Sequence, residues 1–368
     1  MKPSLYIHIP FCHRKCFYCS FVVSIGQEKR VDSYLDCLAR EAESYQGTEI
    51  STIYLGGGTP TYLNCDQLKR LAQIIEENFK YRKGTEWTIE ANPEGVDLAK
   101  LNLLKSLGIN RISLGIQSLN SQYLKYLGRN HTSALAVKTF KAIREEGFDN
   151  VSIDFMYSFP KQTMAELQED LKNVTQLNSE HISVYMLTIE EPSRFYAQKM
   201  PLKDDQIQAQ EYTRVIEILA DAGFKQYEIS NFAKPGKESK HNLNYWQGGN
   251  YIGLGVGAHS HRDGKRFSNV SEFMPYMEMI QLKKDTHENI EELSAHQRFI
   301  EKLLFGLRMN EGVKVKTLEK EFDCPLDQER EVKLKEFTHQ EFLRWDNEKL
   351  KVTDKGRLVL DELCSRLI

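Results

Sequence analysis

The sequence predicts an α/β protein: a parallel sheet curved into an open (β/α)6 partial barrel, followed by a small helical, winged-helix-like domain. Three observations predict it. Between Leu5 and Met186, short runs rich in Ile, Val, Leu and Tyr alternate with longer segments of helical periodicity. Such alternation implies parallel strands joined by right-handed crossovers. The alternation gives six units, fewer than the eight that close a barrel. Beyond residue 293 the order changes to helices followed by a hairpin-like tail.

In chain order, the strand candidates are Leu5–Ile9, Ile50–Leu55, Trp87–Ala91, Arg111–Ile116, Val151–Tyr157 and His181–Met186, each closed by Gly, Pro or a polar residue. Helical patterns lie between them at Val31–Tyr45, Asp66–Phe79, Leu98–Leu107, Ser133–Glu146 and Met164–Gln176. Asn64 ahead of the second, and Gly108 and Gly147 just past the third and fourth, are end signals. A long helix over Asp204–Ala222 and a strand over Gln226–Ile229 follow. The next segment, Asn231 to Ser260, is polar, aromatic and glycine-rich, and a helix is predicted over Ser271–Leu282. The charged stretch 283–292 reads as a linker between a first domain, 1–282, and a second, 293–368. In the second, Ala295–Leu307, Lys316–Phe322 and Gln328–Thr338 are helical, and two short strands flank Asp346-Asn347 before a helix from Asp354.

Composition narrows the class. A chain of 368 residues with 40% hydrophobic content can bury a full core, and no apolar run approaches the length of a membrane span. Met1-Lys2-Pro3-Ser4 leads directly into a strand and does not read as a signal peptide, and seven cysteines do not form a secreted disulfide framework. A cytoplasmic protein is expected. A winged helix raises the question of DNA, but Lys316–Ile368 carries eleven Lys and Arg against thirteen Asp and Glu. That is the wrong sign for phosphate binding, so no nucleic-acid partner is expected.

The chemistry starts at Cys12-His13-Arg14-Lys15-Cys16-Phe17-Tyr18-Cys19. Three thiols spaced x3 then x2 in one short loop suit a single inorganic centre. A four-iron cluster held by three thiolates keeps one iron open to an outside ligand. Structural zinc, with His8 or His13 as fourth donor, and a chance grouping of thiols are the other readings. Cys37, Cys65, Cys324 and Cys364 are isolated and read as packing residues. The Cys-x3-Cys-x2-Cys pattern with its aromatic neighbour resembles the radical S-adenosylmethionine (SAM) superfamily. That resemblance implies a [4Fe-4S] cluster at Cys12, Cys16 and Cys19, with SAM on the open iron.

Gly56-Gly57-Gly58-Thr59-Pro60 follows the second strand, where α/β folds gather ligands; a tight turn is the plainer reading of glycines alone. It is not a Walker loop, since no Gly-Lys-Ser/Thr follows. Other strand ends carry Glu90-Ala91-Asn92-Pro93, Gly115-Ile116-Gln117-Ser118 and Asp154, a polar rim fit for a charged nucleoside. The same runs, with Tyr6 through Cys19, Gly128-Arg129 and Asp154-Phe155-Met156-Tyr157, resemble the oxygen-independent coproporphyrinogen III dehydrogenases and their relatives. This resemblance covers nearly the whole chain. It implies SAM contacts at Tyr6, Tyr18, Gly57, Gly58, Thr59, Glu90, Gln117, Arg129 and Asp154.

Two departures point within that group. Phe21 stands where the dehydrogenases carry a further cysteine, and only eleven residues precede Cys12. Both features, with the run His241-Asn242-Leu243-Asn244-Tyr245-Trp246, resemble the heme chaperone family HemW. The resemblance implies a protein that binds heme and hands it to acceptors such as respiratory enzymes. Its alternative is radical decarboxylation of coproporphyrinogen III. His241 is the expected heme donor, with His259 and His261 nearby in sequence.

Overall fold

The computed structural model describes residues 2–368. Six strands, β1 (Ser4–Ile9), β2 (Thr52–Gly57), β3 (Glu86–Ala91), β4 (Arg111–Gln117), β5 (Val151–Tyr157) and β6 (His181–Met186), lie side by side in sequence order, each parallel to the next. Every residue of β4 is buried, because helices cover one face and the barrel interior lies on the other. The crossovers are α1 (Val31–Glu43), α2 (Cys65–Asn78), α3 (Leu98–Ser106), α4 (Ser121–Leu127), α5 (Ser133–Glu145) and α6 (Met164–Thr175). Their periodicity explains their orientation. In α1, Val31, Tyr34, Leu35, Leu38 and Ala42 are buried, which is one stripe of a 3.6-residue repeat facing the sheet. Asn64 with Gln67, and Thr163 with Glu166, form reciprocal capping boxes that fix the starts of α2 and α6.

The sheet does not stop at six strands. After α7 (Arg194–Ala197) and α8 (Asp205–Asp221) come β7 (Lys225–Gln226) and β8 (Asn231–Ala233), then α9 (Lys240–Trp246), β9 (Tyr251–Leu254), β10 (His259–Arg262), β11 (Lys265–Asn269), α10 (Phe273–Gln281) and β12 (His287–Glu292). The full order is β12-β11-β10-β9-β1-β2-β3-β4-β5-β6-β8-β7, a mixed, open sheet. β9 runs parallel to β1, while β10, β11 and β12 add antiparallel pairs at that edge.

Two local expectations are corrected, and one segment without an assigned element gains a helix. The single strand over Gln226–Ile229 is replaced by β7 and β8, which pair antiparallel around a turn. The polar, aromatic segment 231–260 contains the helix α9, started by Ser239, whose side chain accepts from the Asn242 amide. The stretch 283–292, read as a linker, carries β12. It is an edge strand, so its outer side chains can stay charged, and Arg266 of β11 pairs with Glu291 at 2.6 Å.

The C-terminal region begins at α11 (Ala295–Arg308), capped by Ser294 and Gln297, and continues through α12 (Val315–Phe322) and α13 (Gln328–His339). The hairpin β13 (Leu343–Asp346) and β14 (Lys349–Val352) follows, then α14 (Asp354–Arg357) and α15 (Leu360–Leu367). It has its own core, with Phe299, Leu303, Leu334, Phe337, Leu350 and Leu363 at its centre. This core docks on the barrel: Ile229 packs into it, and Asn310 donates its backbone N–H to Tyr227 and its amide to the Gln226 carbonyl, at 3.0 and 2.7 Å. Among the described residues, no helix is long and apolar enough to cross a membrane.

Candidate cofactor site

The three clustered cysteines leave β1 at its carboxyl end, where parallel α/β structures place ligands. Backbone bonds fix the loop from both ends. Ser24 donates to the Pro10 carbonyl at 2.7 Å and closes its base, while Phe17 donates to Leu127 and accepts from Phe195, at 3.0 and 2.9 Å. Gly128 ends α4 with φ +74°, and a Cβ there would lie 2.9 Å from the Phe17 ring, so only glycine lets the loop seat so closely.

A chain of contacts begins at one thiol and ends at another. Cys12 Sγ lies 3.3 Å from Thr59 Oγ1, which accepts from Asn92 Nδ2 at 3.0 Å. Asn92 Oδ1 accepts from Arg129 Nη2 at 2.6 Å, and Arg129 Nη1 points at Cys16 Sγ, 3.6 Å away. Arg129 also donates to the Gly115 carbonyl at 2.8 Å. A Cβ on Gly115 would fall 3.0 Å from Asn92 Oδ1 and 3.1 Å from the Gln117 amide nitrogen, which places Gln117 in the same cluster. The cleft beside this chain is lined by Cys16, Thr59, Tyr62, Asn92, Glu94 and Arg129 among others.

Below it the barrel interior holds two carboxylates. Glu90 accepts from the Tyr54 hydroxyl at 2.8 Å and from the Gly57 N–H at 3.1 Å. Asp154 accepts from Ser113 at 2.9 Å. Burial, and then the charge of Asp154, pushes Glu90 up to about 7; burial raises Asp154 too. Arg111, 2% exposed at the head of β4, favours the ionised form of both. Tyr6 stacks on Tyr54 with ring centres 6.1 Å apart, which puts it on the same wall. Burial raises Tyr18, and the nearby charges of Cys16, Arg129 and Asp154 tie it to both groups.

These residues fit an iron–sulfur cluster with SAM. Three partly exposed thiols share one fixed loop, and burial raises Cys12 to about 11 and also raises Cys19, so a bound cationic metal centre would be needed to hold them as thiolates. The buried Nε of Arg129 has no partner within the protein and sits beside the cleft. His8 is unsuited to be a fourth ligand. Its Nε2 donates to the Val22 carbonyl at 2.8 Å, and its Nδ1 accepts from Tyr6 at 3.0 Å.

His241, the expected heme donor, lies on α9 against β2. It is 1% exposed, and both ring nitrogens are engaged: Nδ1 with Thr52 Oγ1 at 2.8 Å and Nε2 with the Tyr245 hydroxyl at 2.9 Å. Thr52 donates onward to Ser4, so it accepts from Nδ1–H, and Nε2 accepts from Tyr245. Burial holds this imidazole neutral, its pKa lowered to about 3. It pins α9 to β2. His259 is exposed, and His261 is half-buried.

Asn92, Tyr54, Arg111 and Ser113 were not singled out as site residues in sequence, although all four build the site. Arg111 had a readable signal: a lone cation opening an otherwise apolar strand must meet anions somewhere inside.

Comparison with known proteins places this geometry. Residues 6–174 match the Radical SAM superfamily, and residues 293–359 match the HemN C-terminal domain. Heme chaperone HemW of Lactococcus lactis is 34% identical over 96% of this chain and 94% of its own length. Heme chaperone HemW of Bacillus subtilis is 35% identical over 98% and 97%. The solved structure of coproporphyrinogen III oxidase (HemN) from Escherichia coli, described as a radical SAM enzyme, superposes with a TM-score of 0.88 at 27% identity. That match covers 100% of this chain and 90% of the enzyme.

Proposed function

The chain belongs to the heme chaperone HemW family of the radical SAM superfamily, and from that membership we propose that it binds heme and delivers it to acceptor proteins, respiratory enzymes among them. Membership of the superfamily implies a [4Fe-4S] cluster and SAM. In this chain Cys12, Cys16 and Cys19 would hold the iron. Arg129 would meet the SAM carboxylate, Glu90 and Asp154 its ammonium and ribose hydroxyls, and Tyr6, Tyr18, Gly57, Gly58, Thr59 and Gln117 would complete the wall. When bound, such a cluster supplies single electrons to the SAM sulfonium. The protein's own part is to keep the loop fixed, to hold Arg129 charged against Cys16, and to keep two acids poised within a dry interior.

The relatives' shared name, over nearly the full chain, carries the chaperone reading. The second reading is oxidative decarboxylation of coproporphyrinogen III, which the full-length structural match favours. Phe21 argues against it, being 65% exposed with a side chain that can neither carry a proton nor ligate iron. One sample separates the two. Anaerobically reconstituted protein is titrated with heme, then given coproporphyrinogen III, SAM and a strong reductant. Stoichiometric heme binding without protoporphyrinogen supports the chaperone. Multiple turnovers to protoporphyrinogen IX would promote the enzyme instead.

A further inference from the structure

The barrel interior holds a guanidinium beneath its two acids. Arg111 opens β4 and Ser113 follows two residues later, so their side chains share one face of the strand. Ser113 donates to Asp154 at 2.9 Å and is the register partner of Glu90 on β3. Arg111 is the register partner of Thr88, one same-face position nearer the amino end. Two residues of strand span roughly 7 Å. Arg111 therefore enters from below the level of the acids, while Gly57, the Gly115 carbonyl and Arg129 lie on the cleft side above them.

A buried cation is costly unless opposite charge offsets it. Arg111 is 2% exposed, and its Nε is buried without a hydrogen-bond partner. The opposite charge is that of Glu90 and Asp154: burial raises both acids, and Arg111 opposes that rise in each. The other titratable groups around the acids are tyrosines, Tyr6 and Tyr54 beside Glu90, Tyr18 and Tyr185 beside Asp154. Burial raises each of them, so they stay uncharged near neutral pH. Arg129 acts on Asp154 from the cleft side. On the floor side, His181, His241 and Tyr227 lie within the field of Arg111. Two carboxyls sharing a dry interior cannot both ionise without help, and Arg111 supplies that help from below.

We propose that Arg111 is a positioning residue for SAM: without touching the ligand, it holds Glu90 and Asp154 as carboxylates that receive the ligand's positive end. This role rests on the SAM reading above and adds the residue that charges the site. SAM carries a carboxylate, an ammonium and a sulfonium, so it is a net cation. With its carboxylate met by Arg129, the part that reaches the acids is positive. The acids stand between Arg111 and that part, so the floor cation charges them more than it repels the ligand. Removing a positive charge from the interior should then weaken a positive ligand, the reverse of what simple repulsion gives.

The test measures SAM affinity of full-length, cluster-loaded protein by calorimetry from about pH 5.5 to 7.5, short of the titration of the ligand's own amine. The variants are Arg111→Gln, Arg111→Met, Arg111→Lys, Glu90→Gln and the double variant Arg111→Gln with Glu90→Gln. Wild-type affinity should rise with pH as Glu90 ionises. In Arg111→Gln and Arg111→Met that rise should move up by about one pH unit, so that SAM binds about tenfold more weakly near pH 6.5. Arg111→Lys, which keeps the charge, should return the profile to that of wild type. Loss of Arg111 should cost less affinity in the Glu90→Gln background than in wild type, whereas a purely structural loss would cost the same in both. Iron content and thermal unfolding serve as folding controls. If both neutral variants fail them, Arg111→Lys decides: a wild-type profile supports the role, and a displaced one overturns it. SAM binding that is unchanged or tighter without the arginine overturns the role and leaves the SAM site standing. Failure of wild type to bind SAM overturns both.

Discussion

Tyr245 and His241 face each other across one turn of α9, the tyrosine O–H donating to the imidazole Nε2 at 2.9 Å. The bond fastens the motif to itself within the short helix. His241→Ala should therefore lower stability by about 2–4 kcal/mol, through a cavity and unpaired hydroxyls, while leaving the Soret position of bound heme unchanged. A shifted Soret band would restore His241 as a donor.

The same imidazole gives stability a pH dependence with a definite sign. Its folded pKa is lowered to about 3 against about 6.5 unfolded, so the unfolded chain binds the extra proton in that window. Stability contributed by neutral His241 is complete above pH 6.5 and is lost as pH falls. Denaturant titrations should show a steeper decline from pH 6.5 to 4.5 in wild type than in His241→Phe.

Glu90 carries the opposite sign. Its pKa is raised to about 7, so the folded state holds a proton that the unfolded chain has released above pH 4.5. Stability should fall as pH rises from 4.5 through 7. Glu90→Gln should remove that slope, gaining up to about 3 kcal/mol at pH 8 without SAM, while weakening SAM binding. Gain of stability with undiminished SAM affinity would take Glu90 out of the nucleoside site.

For the metal, replacing Cys12, Cys16 or Cys19 by Ala should abolish the broad iron–sulfur absorbance after reconstitution. Replacing Cys37, Cys65, Cys324 or Cys364 should not. Iron analysis that finds the cluster dependent on one of the latter four would overturn the ligand set.

Arg129 joins Asn92, the Gly115 carbonyl and Cys16 through a planar fork that lysine cannot imitate. Arg129→Ala should weaken SAM binding about tenfold or more, and Arg129→Lys should recover only part of it. Calorimetry giving equal affinities in all three proteins would show that this fork serves the loop alone.

The parallel core was legible because each strand from β1 to β6 is a short apolar run between turn residues, a pattern that burial on both faces demands. β12 was not, since an edge strand keeps its charges and looks like a linker: His287-Glu288-Asn289-Ile290-Glu291-Glu292 has no buried face to betray it. α9 hid for a related reason, being only seven residues long and built from polar side chains that bond inward. In the site, residues carried by distinctive spacing, the three cysteines and the glycine run, could be read directly. The contacts that join them could not. Thr59, Asn92 and Arg129 come from three different crossovers, and only the sheet order brings them together. For His241, sequence shows which side chain is present but not the Thr52 and Tyr245 hydroxyls that its nitrogens meet in the fold.

β12 ends at Glu292 and α11 starts at Ala295, so Leu293 and Ser294 alone join the sheet to the C-terminal domain. Leu293 is itself tied to the Gly264 carbonyl at 2.7 Å, and Ser294 is the helix cap. Such a leash has no slack. The C-terminal domain cannot swing away like a lid on a hinge unless an edge strand peels off first. The spacing between the sheet extension and the C-terminal helices, across which Tyr251 and Phe322 line one cleft, is therefore held by the chain itself.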